Sequence, residues 1–394
     1  MDAALFTKIV SDPAITDWKK LKYKYPDINL KELAALLRAS FYLTLPLPDF
    51  SNQDLVYLGT LYPPNRGAIR QMLQPRPSPD KYGRQAMEEE IAATLTIESI
   101  DFSRESVRKI LAGFAPADDR EERIYGLKKG LDFISDEQNR ITEATIHELY
   151  QTAIGPYLKD PDSQILTGHL YRHDQVFVVS LEVEHTGLPP AKLPGHMKKL
   201  LDFIQSDDGM DDLVKAAIIH FYFAFLHPYF DGNGRMARLL HLWFLVQRGY
   251  PSSLYIPISS YIETSKKLYY QAFTKIEQNE TLSSLVDVTP FLHYFNESVY
   301  RKISQQPPTP ISAQDFQRIL DSGNLTVKER DLWSFVLSTY GPKEFSTKQL
   351  ERDFGQAAYA TIRSFVLKLT KLGLLSEHTF GNRKRYKVHL SGQR

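Results

Sequence analysis

Between Arg84 and about Arg301, apolar residues recur every three or four positions, which commits over half of this 394-residue chain to amphipathic helices. The periodic stretches are Met87–Ile97, Ser106–Phe114, Arg123–Ile134, Ile141–Ile154, Met197–Ile204, Asp211–Leu226, Met236–Gln247 and Lys266–Ile276. One segment breaks the pattern. GHLYRHDQVFVVSLEVEH, Gly168 to His185, alternates, is rich in Val and is followed by a Gly-Leu-Pro-Pro turn, so it predicts a β-hairpin set into a helical domain.

The flanks differ in character. Residues 1–83 predict an N-terminal helical segment, with a helix over Leu30–Leu43, a proline-punctuated run and an irregular loop over Met72–Gly83. Residues 84–303 form the helical core, and the proline density of SQQPPTPIS makes 304–324 a linker. In 325–394, helices at Val327–Thr339, Thr347–Phe354 and Ala357–Leu372 precede two strands around a Gly-Asn turn. That order resembles a winged-helix module. The predicted fold class is therefore mainly α, a helical bundle with a small β-hairpin flap and a winged-helix-like C-terminal module.

With 48 Lys+Arg against 47 Asp+Glu, the chain lacks the basic excess of a chain-wide polyanion binder. Having no Cys, it has no disulfide, thiolate metal site or cysteine nucleophile. The opening MDAALFTKIVSDP lacks a basic and apolar leader pattern, and the most apolar run, Ala216 to Leu226, is too short for a bilayer. The expectation is a cytoplasmic protein without membrane partners. His169 and His173 share a hairpin face but have no Cys or HExxH companions, so zinc is not expected, and His220 reads as a core histidine.

Residues 227–238, HPYFDGNGRMAR, concentrate the chemistry. Gly232 and Gly234 permit close backbone approach just before a helix start, where free N–H groups and the dipole favour an anion. Arg235 and Arg238 lie three apart and can reach one anion together, and guanidinium suits phosphate bidentately. Asp231 is a hard oxygen donor of the kind Mg²⁺ takes beside nucleotide phosphates. His227, at the end of the preceding helix, carries a group that accepts a proton near neutrality.

This segment resembles the Fic family signature HxFx(D/E)GNGRxxR, departing at the fixed positions only in Tyr229 for Phe. The resemblance implies a Fic-type bundle and AMP transfer from ATP to a protein hydroxyl. It implies that His227 is the general base for a Ser, Thr or Tyr hydroxyl and that Asp231 holds Mg²⁺. Gly232, Asn233, Gly234 and Arg235 would bind the phosphates, and Arg238 the γ-phosphate. The resemblance extends to the hairpin, whose Val176, Phe177 and Val178 match a flap that docks the target by strand addition. It extends also to Tyr269 and Tyr270, which match tyrosines lining the nucleoside pocket; where many relatives carry an Asn near that helix end stands Glu277, with Asn279 two residues on, and neither is expected to contact the base.

Upstream, within 88–101, TLTIES resembles the family's inhibitory motif (S/T)xxxE(G/N), with Thr94 and Glu98 on one helical face. Glu98 would pair with Arg238 in the place of the γ-phosphate, and Ser99 departs from the family's Gly or Asn. The implied partners are Mg²⁺, ATP and a target protein, which could be the chain itself. A homodimer is left open, as is DNA at 325–394, where Lys368, Lys371, Arg383, Lys384, Arg385 and Lys387 gather. Three alternatives stay open: removal of AMP from a modified protein, another nucleotide donor, and a DNA-binding regulator whose pocket senses nucleotide.

Overall fold

Eighteen α-helices, a π-helical segment, three two-stranded hairpins and several short 3₁₀ turns make up the regular structure among the described residues, as seen in a computed structural model. It describes residues 1–61, 64–73, 79–158, 160–179, 184–250, 252–305, 325–340, 344–380 and 383–388. They fall into two compact units, one of 1–74 with 87–305 and one of 75–86 with 306–394. Among the described residues, no helix is long and apolar enough to cross a membrane.

In the first unit the order is α1 (Ala3–Val10), α2 (Trp18–Lys24), α3 (Leu30–Ser40), β1 (Leu43–Pro48), β2 (Asp54–Tyr57), α4 (Arg66–Met72) and α5 (Pro79–Ile97), which joins this unit from residue 87 on. Then come α6 (Arg104–Leu111), α7 (Asp119–Ser135), α8 (Glu143–Ala153), β3 (Phe177–Val179), β4 (Glu184–Thr186) and α9 (Leu193–Gln205). The unit closes with α10 (Asp212–Leu226), α11 (Asn233–Gln247), α12 (Ile258–Thr264), α13 (Lys266–Ser283), α14 (Thr289–Tyr294), a π-helical segment at Phe295–Tyr300 and α15 (Arg301–Ser304). Each periodic stretch of the sequence falls on a helix to within three residues at either end or within a longer one, and Ser103, Asp118, Thr142 and Asp211 cap the first turns of α6, α7, α8 and α10.

Three local differences have clear causes. The proline-punctuated run of the N-terminal segment is the antiparallel pair β1–β2, its register broken between Thr44 and Pro48. Proline removes a ladder donor, so this hairpin carries no strand signature. Helix α5 begins at Pro79, inside the stretch expected as loop, where a proline suits the first helical position. The flap pairs only Phe177–Val179 with Glu184–Thr186, so its arms are shorter than the alternation from Gly168 suggested, and residues 180–183 lie outside the described residues.

The N-terminal elements are stitched to the C-terminal end of α13. Val56 exchanges backbone hydrogen bonds with Val286 (3.1 Å) and Val288 (2.9 Å), and Tyr42 donates to Asp287 at 2.8 Å. The Asn279 side chain accepts from Trp18 N at 2.9 Å and donates to Thr16 O at 3.3 Å. It is buried and fully engaged in holding the N-terminal helices.

α10 and α11 are apolar nearly all round and form the centre of the main core. Two histidines face each other across it. His220 is hydrogen-bonded through Nε2 to the Tyr269 hydroxyl (2.9 Å), and His241 Nε2 lies 3.3 Å from the hydroxyl of Tyr300, which donates to Leu213 O. Burial drives both imidazoles below their ordinary pKa, His241 to about 3.

The second unit holds α16 (Val327–Thr339), α17 (Thr347–Phe354), α18 (Tyr359–Lys371) and the hairpin β5 (Leu375–Phe380) with β6 (Arg383–Val388), joined by a bridge between Phe345 and Tyr386. Its own core centres on Trp333, Phe345, Phe365 and Tyr386. Lys368 pairs with Glu329 (2.8 Å) and Lys384 with Glu377 (2.7 Å), so acid neutralises part of the basic group found in the sequence.

The buried histidines set a pH dependence. Below about pH 6.5 the unfolded chain binds a proton at His241 that the folded chain refuses until about pH 3. Stability therefore falls with falling pH, by about 1.4 kcal/mol per pH unit for this one group. Urea titrations from pH 6 to pH 4 should find the His241→Asn protein losing less stability than the parent by that slope. Parallel curves would refute the assignment.

Candidate active site

The loop between α10 and α11 is built on two left-handed residues. α10 ends at His227, whose φ is 53° and ψ 60°, and Gly232, with φ 84°, caps α11. A non-glycine residue in that region costs about 1 kcal/mol or more, so surrounding contacts must hold His227 there. Gly232 is compelled, since a Cβ would lie 2.5 Å from Ile154 Cγ2. The Asn233 side chain closes the loop, accepting from Tyr229 N (2.9 Å) and donating to Tyr229 O (2.8 Å). Its amide thus shapes the cradle from inside, while its neighbours carry the free end of the helix.

Arg235 and Arg238 are both buried. Arg235 Nη2 donates to Asp231 at 3.2 Å, and among the described residues its Nε has no partner. Arg238 Nε donates to Thr94 Oγ1 at 2.7 Å and Nη2 to Glu98 at 2.5 Å, whereas Nη1 has no partner among the described residues. The two upstream residues singled out by the sequence, four apart on α5, therefore meet the same guanidinium. The Glu98 carboxylate lies over the start of α11, so close that a Cβ on Gly234 would be 2.6 Å from its Oε1. Burial would raise the Glu98 pKa, but the adjoining Arg238, with Arg235 and Lys266 further off, outweighs it and holds the carboxyl below the usual range. A carboxylate thus already occupies the anion cradle.

α5 is pinned at other points. Its buried Glu90 accepts from Ser259 N at 2.9 Å and from the Ser259 hydroxyl, at the start of α12. Its C-terminus is a Schellman turn, with Ile100 N to Leu95 O at 2.9 Å and Ser99 N to Thr96 O at 3.1 Å. The turn places Ser99 at φ 57°, which gives the family's Gly or Asn at this position a backbone reason. Lys266, the first residue of α13, reaches Thr96 O (3.3 Å) and Ser99 Oγ (3.4 Å).

The remaining expected residues divide. Asp231 is half-exposed and presents a carboxylate beside the cradle. Among the described residues no three His, Asp or Glu side chains gather as a protein-only metal cage. One carboxylate next to an anion cradle fits a hard cation that brings phosphate and water ligands with it. Tyr269 is a core residue, 3% exposed and bonded to His220, while Tyr270 is 39% exposed. In the flap, Phe177 is exposed at 62%, Val176 packs toward Gly187, and Val178 takes part in β3 through its backbone, its side chain lying outside those described. Sequence reasoning missed Arg172, Glu90 and Lys266. Their signals are single charged residues whose burial and partners depend on tertiary contacts.

Tyr229 stacks on Tyr150 with ring centroids 3.7 Å apart and planes at 11°, and neither hydroxyl has a partner among the described residues. Tyr229→Phe removes a buried, unpaired hydroxyl and should raise stability by about 1–3 kcal/mol in urea unfolding; a loss would show the hydroxyl to be bonded. At the C-terminal end of α5, Ser99→Gly relieves the left-handed cost. It should make amide exchange at residues 98–101 slower by about fivefold, equivalent to about 1 kcal/mol, and unchanged exchange would refute it.

Set beside known proteins, residues 140–245 match the Fic/DOC family. The chain is 26% identical over 218 residues to the protein adenylyltransferase fic-1 of Caenorhabditis elegans, covering 53% of this chain and 38% of that protein. It is 26% identical over 178 residues to a probable protein adenylyltransferase of Aquifex aeolicus, covering 38% of this chain and 56% of the other. The chain thus spans less than two thirds of the length of these curated relatives. Among solved structures, a Fic family protein from Desulfovibrio desulfuricans aligns over 79% of this chain and 89% of its own, with 19% identity and a TM-score of 0.49. A Fic domain containing signaling protein from Bacteroides thetaiotaomicron aligns over 60% and 94%, with 22% identity and a TM-score of 0.49.

Proposed function

We propose that this chain, which carries a Fic/DOC domain at residues 140–245, transfers AMP from Mg²⁺-ATP to a hydroxyl of a target protein and rests with Glu98 blocking the cradle. The observation that carries the reading is Arg238, a buried guanidinium aimed at a helix N-terminus and paired there with a carboxylate. A guanidinium that donates to a carboxylate oxygen through Nη2, with Nη1 unpartnered among the described residues, can donate to phosphate oxygens on the same terms. The curated relatives bear the name protein adenylyltransferase, which agrees with this chemistry.

In this reading the target hydroxyl attacks the α-phosphorus of ATP and gives its proton to a ring nitrogen of His227. The bond from that phosphorus to the β-phosphate oxygen breaks, and pyrophosphate leaves. The N–H groups at the start of α11, with Arg235 and Arg238, hold the phosphates and meet the charge on the leaving group. Asp231 would hold Mg²⁺, which supplies neutralisation of the phosphate oxygens. Tyr270 serves the base, and the flap, through Val176, Phe177 and Val178, docks an extended target segment.

While Glu98 pairs with Arg238, the γ-phosphate cannot take its place, so productive ATP is excluded and the basal rate is low. The test is intact-mass spectrometry after incubation with Mg²⁺ and ATP together with a lysate fraction or the chain itself as acceptor. Glu98→Gly should raise incorporation of AMP at least tenfold over the parent, and Glu98→Gly with His227→Ala should abolish it. Equal incorporation by parent and Glu98→Gly would sink the inhibitory role. Incorporation only from another nucleotide would replace ATP as donor.

A further inference from the structure

Arg172 lies just before the flap and outside every role considered so far. It is 2% exposed, yet no carboxylate among the described residues pairs with it. Its guanidinium instead donates to three main-chain carbonyls. Nε reaches His227 O at 2.7 Å, Nη1 reaches Asp174 O at 2.7 Å, and Nη2 bonds Leu188 O. Its own N–H donates to Pro228 O at 3.0 Å. Burial, only partly offset by the nearby Asp174 charge, pushes its pKa down to about 10, which still leaves it cationic at neutral pH.

The three carbonyls belong to different parts of the site. His227 is the strained, left-handed end of α10, Asp174 leads into β3, and Leu188 follows β4. One planar, forked donor thus ties both roots of the flap to the backbone of the residue with the imidazole. A point-charge ammonium cannot span three acceptors in this way. The packing agrees. A Cβ on Gly187 would lie 2.7 Å from Val176 Cγ2, 2.8 Å from Arg172 Nη2 and 3.4 Å from His227 Cβ, so flap root, guanidinium and histidine are in mutual contact. Gln175 Nε2 donates to Gly187 O at 2.5 Å, and Gly187 N to Val176 O at 3.0 Å, closing the hairpin root beside the clamp.

We propose that Arg172 is a positioning residue that fixes the His227 imidazole relative to the flap, so that an acceptor hydroxyl docked on the flap meets the base at a set distance. It touches neither the phosphate cradle nor α5, so it acts on transfer and leaves nucleotide binding alone. This rests on the transfer reading above. An error of an ångström between docked hydroxyl and base lowers transfer by about a hundredfold without weakening the nucleotide site.

The experiment compares Glu98→Gly with Glu98→Gly/Arg172→Lys in three readouts: ATP affinity by calorimetry with Mg²⁺, the rate of AMP incorporation by mass, and amide exchange over 172–176, 186–188 and 227–229. The clamp predicts ATP affinity within about twofold, incorporation slowed ten- to a hundredfold, and faster exchange in all three segments. An unchanged rate, unchanged exchange, or a parallel loss of ATP affinity overturns it. If Glu98→Gly itself transfers nothing, the reaction reading fails. The exchange data then judge the clamp alone, faster exchange in all three segments upholding the coupling and unchanged exchange removing it. Should Arg172→Lys not fold, Gln175→Ala removes only the bond to Gly187 O. It should slow incorporation severalfold and speed exchange over 186–188, and no effect on either overturns the proposal.

Discussion

A buried guanidinium must be paired, and the arrangement around Arg238 follows from that requirement. Stripping a charge of water costs several kcal/mol unless hydrogen bonds and an opposite charge replace the solvent. Arg238 obtains both from α5, through Thr94 and Glu98. The helix is in turn fixed by Glu90 on the start of α12 and by Lys266 at its own C-terminus. In the proposed function, carboxylate and phosphate are alternative solutions to one electrostatic problem. The same buried charge then gives the site both affinity for an anion and a reason to hold the inhibitor when no nucleotide is present.

The loop that frames this charge is held by a different device. His227 and Gly232 both take left-handed backbone, five residues apart, and Asn233 closes the turn between them. Glycine accepts that conformation freely, whereas histidine needs neighbours to impose it. The Arg172 donor on the His227 carbonyl supplies a constraint, and Gly187 approaches so closely that a Cβ there would lie 3.4 Å from the His227 Cβ. His227, the Gly232–Asn233 turn and the flap root therefore form one hydrogen-bonded assembly rather than three loops that happen to be adjacent.

Much of this was legible in the sequence because it is local. The helices followed from apolar periodicity over 84–301, and the twelve residues from His227 to Arg238 carry their chemistry in consecutive positions. The pairing of Thr94 and Glu98 needed only their spacing of four, once a buried anion cradle lay downstream. What escaped was non-local. β1–β2 hid behind prolines, and its stability comes from Val286 and Val288, some 230 residues away. Tyr269 and Tyr270 are neighbours in sequence, but helical geometry turns one into the core and the other toward solvent. Asn279 carried no expected role, and its work, anchoring Trp18, depends on a partner some 260 residues away.

α13 ties these distant parts together. It runs eighteen residues, from Lys266 at the end of α5, through Tyr269 in the core, to Asn279 under the N-terminal helices. A helix of that length is a rigid rod of about 27 Å. Held at its middle by the core and at its far end by Trp18, it cannot swing away to release α5. Glu90, buried one helical stretch back, also keeps the body of α5 in place. The weakest point is the last turn, where Ser99 sits exposed in left-handed backbone and is capped by a long, solvent-accessible lysine. Local opening begins where buried contacts are fewest. In the proposed function, release of Glu98 would need only the turn at residues 98–100 to open, since Ile97 is buried in the core and holds the rest of α5.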